Sequence, residues 1–397
     1  MAPNQRHDRP DGETQGRTQG TVRYAVVGLG WFAQAAILPA FDNAARAGDG
    51  AGPRSELAAL VSGNATKLAE LGDRYGVEHR VGYNRLEDLL ERGVVDAVYI
   101  AAPNHMHREF TLNAARAGAH VLCEKPLAVS ERDCDEMTAA CREAGVKLMT
   151  AYRLHFEPGN LEAVRLADSG ELGELRLFSS VFASQVTNQD DIRLNPIEDG
   201  GGSVYDLGVY CINAARYLFR AEPQEVAAYS VRGAESSDPE RFADCDETTS
   251  VTMRFPGGRL ASFVTSLGAT DRDAYRLLGT RGELLVEPAY EFKATIRHRL
   301  TIDGETSERQ FPERDQVAPE IVHFTECILG GKDPEPDGRE GLADVRIVEA
   351  IHRSAAEGGR PVQLPDFPHQ RRPVPEQAGD YPAPGQQDLV ETEKPSD

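Results

Sequence analysis

The sequence has one tryptophan, few aromatics (7%) and no apolar run near the ~20 residues that a membrane span requires. Its six cysteines, at 123, 134, 141, 211, 245 and 327, include no C-x-x-C pair. That argues against structural zinc and thioredoxin-like chemistry, and leaves them as small packing residues of a reducing compartment. Positive charge is also in deficit, with 43 Lys and Arg against 64 Asp and Glu, a net charge of −21. Such a balance disfavours nucleic acid and anionic membranes as partners. The first twenty residues carry no apolar core, so no secretory signal is read there and a cytoplasmic location is expected. His105 with His107, and His323 with Glu326 and Cys327, are candidate ligand groups, but no further cluster accompanies them and no metal is expected.

The 397 residues suffice for two domains flanked by tails. Residues 1–20 and 369–397 are polar and without periodicity, and are expected to be disordered, the second as an acidic tail. Over residues 21–150, strand-like runs at 22–27, 57–61, 97–101, 120–123 and 147–151 alternate with helical segments at 34–47, 65–75, 85–92, 107–117 and 131–143. This pattern predicts a doubly wound parallel sheet covered on both faces. A Gly-rich surface insertion is expected at 48–54. Residues 151–368 form a second α/β unit, with strands predicted at 175–185, 225–231, 248–255, 259–267, 275–278, 282–286 and 293–302. Many of these alternate apolar and polar residues and are separated by turn chemistry such as Asp303-Gly304, which predicts a large, mostly antiparallel open sheet. Helices at 206–217, 319–329 and 341–356 are expected to cover it.

The stretch GLGWFA at residues 28–33 lies between the first strand and the first helix. Such a turn suits a dinucleotide pyrophosphate. Gly28 permits the tight turn, Gly30 lets the backbone approach the phosphates, and Ala33 keeps helix and strand close. The second strand ends in LVSGNATK, with no carboxylate for a ribose 2′-hydroxyl. Ser62 at the tip and Lys67 beyond it suit a 2′-phosphate, so NADP is predicted over NAD. Ser62 as a helix cap and Lys67 as a solvated residue are the plain alternatives.

Two more motifs carry chemistry. Glu124-Lys125-Pro126 directly follows a strand, at the end of a parallel sheet where ligands bind. Gly200-Gly201-Gly202-Ser203 precedes Asp206-Leu207-Gly208-Val209-Tyr210, which puts Asp206 and Tyr210 on one helix face. By spacing alone, Lys125 could pair with Glu124 on the surface, Tyr210 could be a core aromatic, and Asp206 a helix cap.

GLGWFA, AAPNHMH at 101–107, CEKP at 123–126 and GGGSVYDLGVY at 200–210, in this order, resemble the Gfo/Idh/MocA family of NAD(P)-dependent sugar oxidoreductases. Within the family, the resemblance is to the branch of glucose–fructose oxidoreductase and the NADP-dependent aldose 1-dehydrogenases, and it spans about residues 21–365. It implies a catalytic role for Lys125, with Asp206 holding substrate and Tyr210 beside it. It implies cofactor contacts from Gly28, Gly30, Trp31, Phe32, Ser62, Lys67, Pro103, Asn104, His107, Glu124 and Lys125. Arg153, His155 and Arg193 are implied near the sugar. Ile192 stands where that branch carries Trp, and the tail after residue 370 has no counterpart.

Oxidising an anomeric hydroxyl to a lactone needs a base for the O–H proton while hydride leaves carbon. Free tyrosine titrates near ~10, and a nearby ammonium favours tyrosinate. Tyr210 is then the expected base, Lys125 its electrostatic partner and Asp206 the anchor for sugar hydroxyls. The expected function is an NADP-dependent sugar oxidoreductase, and the resemblance implies a homodimer or homotetramer through the C-terminal sheet. Two alternatives are an enzyme that holds NADP tightly while one sugar reduces another, and an NADP(H) redox sensor without turnover.

Overall fold

The computed structural model describes residues 20–47, 54–368 and 372–394; the expected N-terminal tail and most of the insertion at 48–54 lie outside them. A parallel six-stranded sheet is built from β1 (Thr21–Val27), β2 (Arg54–Val61), β3 (His79–Val81), β4 (Ala97–Ile100), β5 (His120–Glu124) and β6 (Leu148–Ala151). Its order, β3-β2-β1-β4-β5-β6, is that of a dinucleotide-binding fold, which places the switch point between β1 and β4. The helices are α1 (Leu38–Ala47), α2 (Ala65–Arg74), α3 (Leu86–Glu91), α4 (His107–Arg116) and α5 (Glu131–Ala144). Strands β4 and β6 are buried along their whole length, as continuous apolar runs between two helical layers must be.

The second unit begins with α6 (Pro158–Ser169). Its nine-stranded sheet comprises β7 (Leu175–Ala183), β8 (Glu225–Val231), β9 (Thr248–Phe255), β10 (Arg259–Ser266), β11 (Arg272–Gly279), β12 (Gly282–Val286), β13 (Ile296–Ile302), β14 (Glu305–Phe311) and β15 (Val362–Gln363). All its pairings are antiparallel except β7 with β10. Strict alternation, as in β9 with every second residue buried, gives it one covered and one open face. Helices α7 (Val209–Phe219) and α9 (Gly338–Ala356) cover the inner face against β7 and β8.

Two expectations are corrected. Helix α8 (Ala318–Gly330) was expected on the second sheet, but it packs on α1, β1 and β2. Its Thr325 hydroxyl lies 2.8 Å from both the Tyr24 and the Ser55 hydroxyls, and Ile321 and Phe324 join the apolar cluster of β1. The apolar face of the N-terminal sheet beside α1 needs a cover, and the chain returns to supply it. The tail is the second correction: residues 372–394 lie against the body. Arg372 is buried among carboxylates, Pro382 bridges to Arg314, and Val390 is 5% exposed. Its polar composition hid these anchors, which are single residues spaced along irregular chain. Among the described residues, no helix is long and apolar enough to cross a membrane.

Candidate active site

The glycine turn sits at the carboxyl end of β1. Gly28 has φ +100, and a Cβ there would lie 2.4 Å from the Ala101 carbonyl oxygen, so a side chain is excluded. A Cβ on Gly30 would meet nothing within 4 Å; its outer side is open space where a phosphate can approach. A π-helical turn, Ala33–Ile37, leads from here into α1.

At the tip of β2, the Ser62 hydroxyl accepts from the Asn64 N–H at 3.2 Å, and Asn64, which caps α2, accepts from the Lys67 N–H at 2.9 Å. Asn64, rather than Ser62, is therefore the helix cap. Burial lowers the Lys67 pKa, with Glu391 acting in the opposite direction. The Asn64 amide donates to Glu391 at 2.7 Å, and the Ser62 hydroxyl, the partly desolvated Lys67 ammonium and the helix N-terminus form a donor set that fits a 2′-phosphate in place of that carboxylate.

Lys125 follows β5, with a cis peptide to Pro126. Its ammonium lies 3.1 Å from Asp206 Oδ1, 2.9 Å from the Asp206 carbonyl oxygen and 4.6 Å from the centre of the Tyr210 ring. Asp206 lies in a second π-helical turn, Val204–Gly208, and Tyr210 in the first turn of α7. Such turns re-aim side chains and recur at functional sites. The glycines before them permit close approach: a Cβ on Gly201 would sit 1.8 Å from the Asn195 carbonyl oxygen. Arg193 donates to the other Asp206 oxygen at 2.5 Å and also pairs with Asp191. Arg153 stands 5.0 Å from the Tyr210 ring centre and reaches that side chain from another direction.

Burial alone would raise the Asp206 pKa, but Arg193 and Lys125 outweigh it and hold the carboxyl well below its ordinary value. Burial likewise disfavours the Lys125 ammonium, but Asp206, Tyr210 and Glu124 reverse this and raise its pKa. These partners favour the ammonium form of Lys125. Glu124 accepts from the Tyr99 hydroxyl at 2.9 Å. Its pKa is raised by burial, with Lys125 opposing.

The cleft is walled by Trp31, Phe32, Asn104, Glu124, Lys125, Arg153, Arg193, Asp206 and Tyr210, all singled out in the sequence. Residues that sequence reasoning missed complete it: Phe182, Ser184, Asp271, Tyr290, Glu291, Phe292 and Lys394. They come from strand ends and loops far apart in the chain; only the aromatic pair in AYEF at 289–292 offered a signal. Phe182 and Tyr290 both pack against the Tyr210 ring, and Phe292 meets Trp31 and Phe32 edge-on at 5.5 Å.

Of the expected contacts, Gly28, Gly30, Ser62 and Lys67 lie outside this lining, at the glycine turn and the tip of β2, and Pro103, His107 and His155 do not line it either. His107 is wholly buried, its ring nitrogens 3.0 Å from the Pro126 carbonyl and 2.9 Å from that of Ala102. It ties together the loops after β4 and β5 and so shapes the cleft from below. His155 is also wholly buried, 2.8 Å from Asn213 Oδ1 and stacked on Tyr152. Each lies one layer too deep because its helical turn directs the ring inward. Pro103 is half-buried at the end of β4, before Asn104, whose amide donates to the Gly200 carbonyl at 2.8 Å. His105 is exposed while His107 is buried, and the His323 ring nitrogen accepts from the Glu335 N–H at 3.2 Å.

A dinucleotide fold whose crevice faces a lysine, a carboxylate and a tyrosine defines a nicotinamide-dependent oxidoreductase. Residues 22–152 match "Oxidoreductase family, NAD-binding Rossmann fold" and residues 160–285 match "GFO/IDH/MocA C-terminal domain". The chain belongs to the Gfo/Idh/MocA family. It is 33% identical over 355 residues to D-xylose 1-dehydrogenase [NADP(+)] of Haloarcula marismortui, covering 88% of this chain and 95% of the relative. It is 33% identical to a dTDP-3,4-didehydro-2,6-dideoxy-α-D-glucose 3-reductase of Saccharopolyspora spinosa, over 83% of this chain and 96% of that one. Among solved structures, the aldose–aldose oxidoreductase of Caulobacter crescentus complexed with glycerol matches with a TM-score of 0.79 and 38% identity, over 87% of this chain and 100% of that chain.

Proposed function

We propose that this chain oxidises the anomeric hydroxyl of an aldose, with NADP as acceptor. The observation that carries the reading is the Lys125 ammonium, 3.1 Å from Asp206 and 4.6 Å from the Tyr210 ring centre, at the strand ends beside the glycine turn. Nicotinamide, bound in the crevice, supplies the hydride acceptor. Tyr210, in its phenolate form between the cations of Lys125 and Arg153, takes the hydroxyl proton and becomes a neutral phenol as hydride leaves C1. Asp206, kept ionised and fixed by two cations, accepts hydrogen bonds from sugar hydroxyls. Phe182, Tyr290 and Phe292 offer an apolar wall for the C–H face of a sugar ring.

The relatives include free-sugar dehydrogenases and nucleotide-sugar reductases. The electrostatics of the cleft favour the first class. Lys125 and Arg193 are matched by Asp206 and Asp191, and Arg153 donates to the Tyr290 carbonyl and to Gln316. Lys394 stands with Glu291. A diphosphate would meet cations already committed, together with Asp271 and Glu291. The test is a panel of aldoses with NADP and NAD, followed by nicotinamide absorbance; no response to any aldose, with a response to a nucleotide sugar, would overturn the assignment.

The NADP reading has its own test. Lys67→Ala should weaken NADPH binding about tenfold or more, the worth of one charged hydrogen bond, and leave NADH unchanged. Isothermal titration with both dinucleotides checks it; equal losses would point to a general structural effect.

A homo-oligomer through the second sheet is supported by its open face, where Leu177 is 45% exposed, Leu260 43% and Val264 39%. Leu177 pairs with Leu260 and Val181 with Val264 across adjacent strands, which makes a flat apolar patch. Val264→Lys should convert the dimer or tetramer to monomer in light scattering, without loss of helicity. The six cysteines are buried free thiols, which suits a reducing, cytoplasmic setting.

A further inference from the structure

The C-terminal segment does more than cover surface. After the Arg372 anchor, Pro382 accepts from the Asn43 amide at 2.9 Å, and the Asp388 carbonyl accepts from Arg74 of α2 at 2.6 Å. Val390 then enters the apolar cluster that holds Leu29 and Ala33 of the glycine turn. The Gln34 side chain, 1% exposed, grips the Val390 backbone at both ends: it accepts from the N–H at 2.8 Å and donates to the carbonyl at 3.0 Å. The same amide donates to the Leu29 carbonyl at 3.0 Å. Glu391 accepts from Asn64 at 2.7 Å, beside Ser62 and Lys67. Lys394 finally reaches the cleft mouth with Trp31, Glu291 and Phe292. The segment thus crosses from α2, over the glycine turn, to the loop of the second unit.

We propose that residues 388–394 form a strap across the dinucleotide cleft, which must open for the cofactor to bind or leave. The inference rests on reading the crevice as the NADP site. Gln34 is the positioning residue. One buried amide joins the turn to the strap, so lifting the strap strands a buried polar group and withdraws Val390 from the apolar cluster. Such a barrier lies on the path in both directions, so it slows association and release together.

The test uses the full chain, a chain lacking residues 386–397, and Val390→Asp, with NADPH followed by stopped-flow fluorescence. Both altered chains should bind and release NADPH at least tenfold faster, with a smaller change in Kd. Cofactor-free melting should fall only slightly, which separates a gate from a general loss of stability. Unchanged release in both variants would overturn the strap. So would faster association with unchanged release, because the segment would then compete for the seat rather than close over it. If the full chain binds neither NADPH nor NADH, the cofactor reading itself fails, and the strap with it.

Discussion

Tyr210→Phe should lower kcat by about 10²–10⁴-fold, the usual worth of a positioned acid–base group. The ring stays: it is packed by Phe182 and Tyr290, and phenylalanine fills the same space. Only the hydroxyl is lost, so NADPH affinity should be unchanged and KM for the sugar should move little. Lys125→Met should give a comparable loss by another route. It removes the ammonium that faces both Asp206 and the Tyr210 ring, and leaves Asp206 held by Arg193 alone. Because the Lys125 pKa is raised by its partners, it stays charged through neutral pH in the wild type, and the loss should persist across that range. The two changes act on one proton transfer, so their double variant should be little worse than either alone. Steady-state kinetics with single-turnover hydride transfer check this. Near-normal kcat in Tyr210→Phe would remove the phenol from the reaction.

Arg216→Leu should destabilise the protein by about 3–5 kcal/mol, the cost of breaking a buried ion pair from one side. Arg216 is wholly buried and donates to Glu340 at 2.8 Å, Asp344 at 2.5 Å and Glu222 at 2.8 Å. Arg372 reaches two of the same carboxylates from the C-terminal segment. Asp344 already sits at a pKa of about 6, pushed up by burial and by Glu340 against the pull of Arg216. A carboxyl raised in the folded state contributes stability at low pH, which is lost as pH rises through that value. Without Arg216 the Asp344 pKa climbs further, and Glu222 loses one of the two cations that hold its pKa down. The deficit in melting temperature should therefore be widest near pH 8 and narrow toward pH 5, as protons replace the lost cation. A deficit independent of pH would mean that packing, rather than charge, sets the cost.

Periodicity made the parallel sheet and most of the second sheet legible, because buried strands there read as continuous or strictly alternating apolar runs. It failed where the chain had no such contrast. β14, ETSERQF, is exposed at all but its last residue and has no apolar face to read. β3 is three half-buried residues at a sheet edge. Contiguous motifs at a strand end and a helix start made Lys125, Asp206 and Tyr210 candidates, but spacing alone left each a plain structural alternative, and it was the resemblance of the motifs to a family that joined them into one set. Tyr290 and Asp271 were not, since only the closing of the second sheet brings their loops to the cleft. His107 and His155 were read as contacts from motif position, yet a sequence does not reveal which way a short helical turn points a ring. The strap is the plainest case: Val390 and Gln34 are 356 residues apart, and neither carries a local signal.

The most direct measurement follows deuterium from the C1 position of an aldose, with NADP and the purified chain. The account predicts label on the reduced nicotinamide, lactone in equal amount, and loss of both in Tyr210→Phe. Turnover of a sugar with no label transferred, or full transfer in Tyr210→Phe, would contradict it.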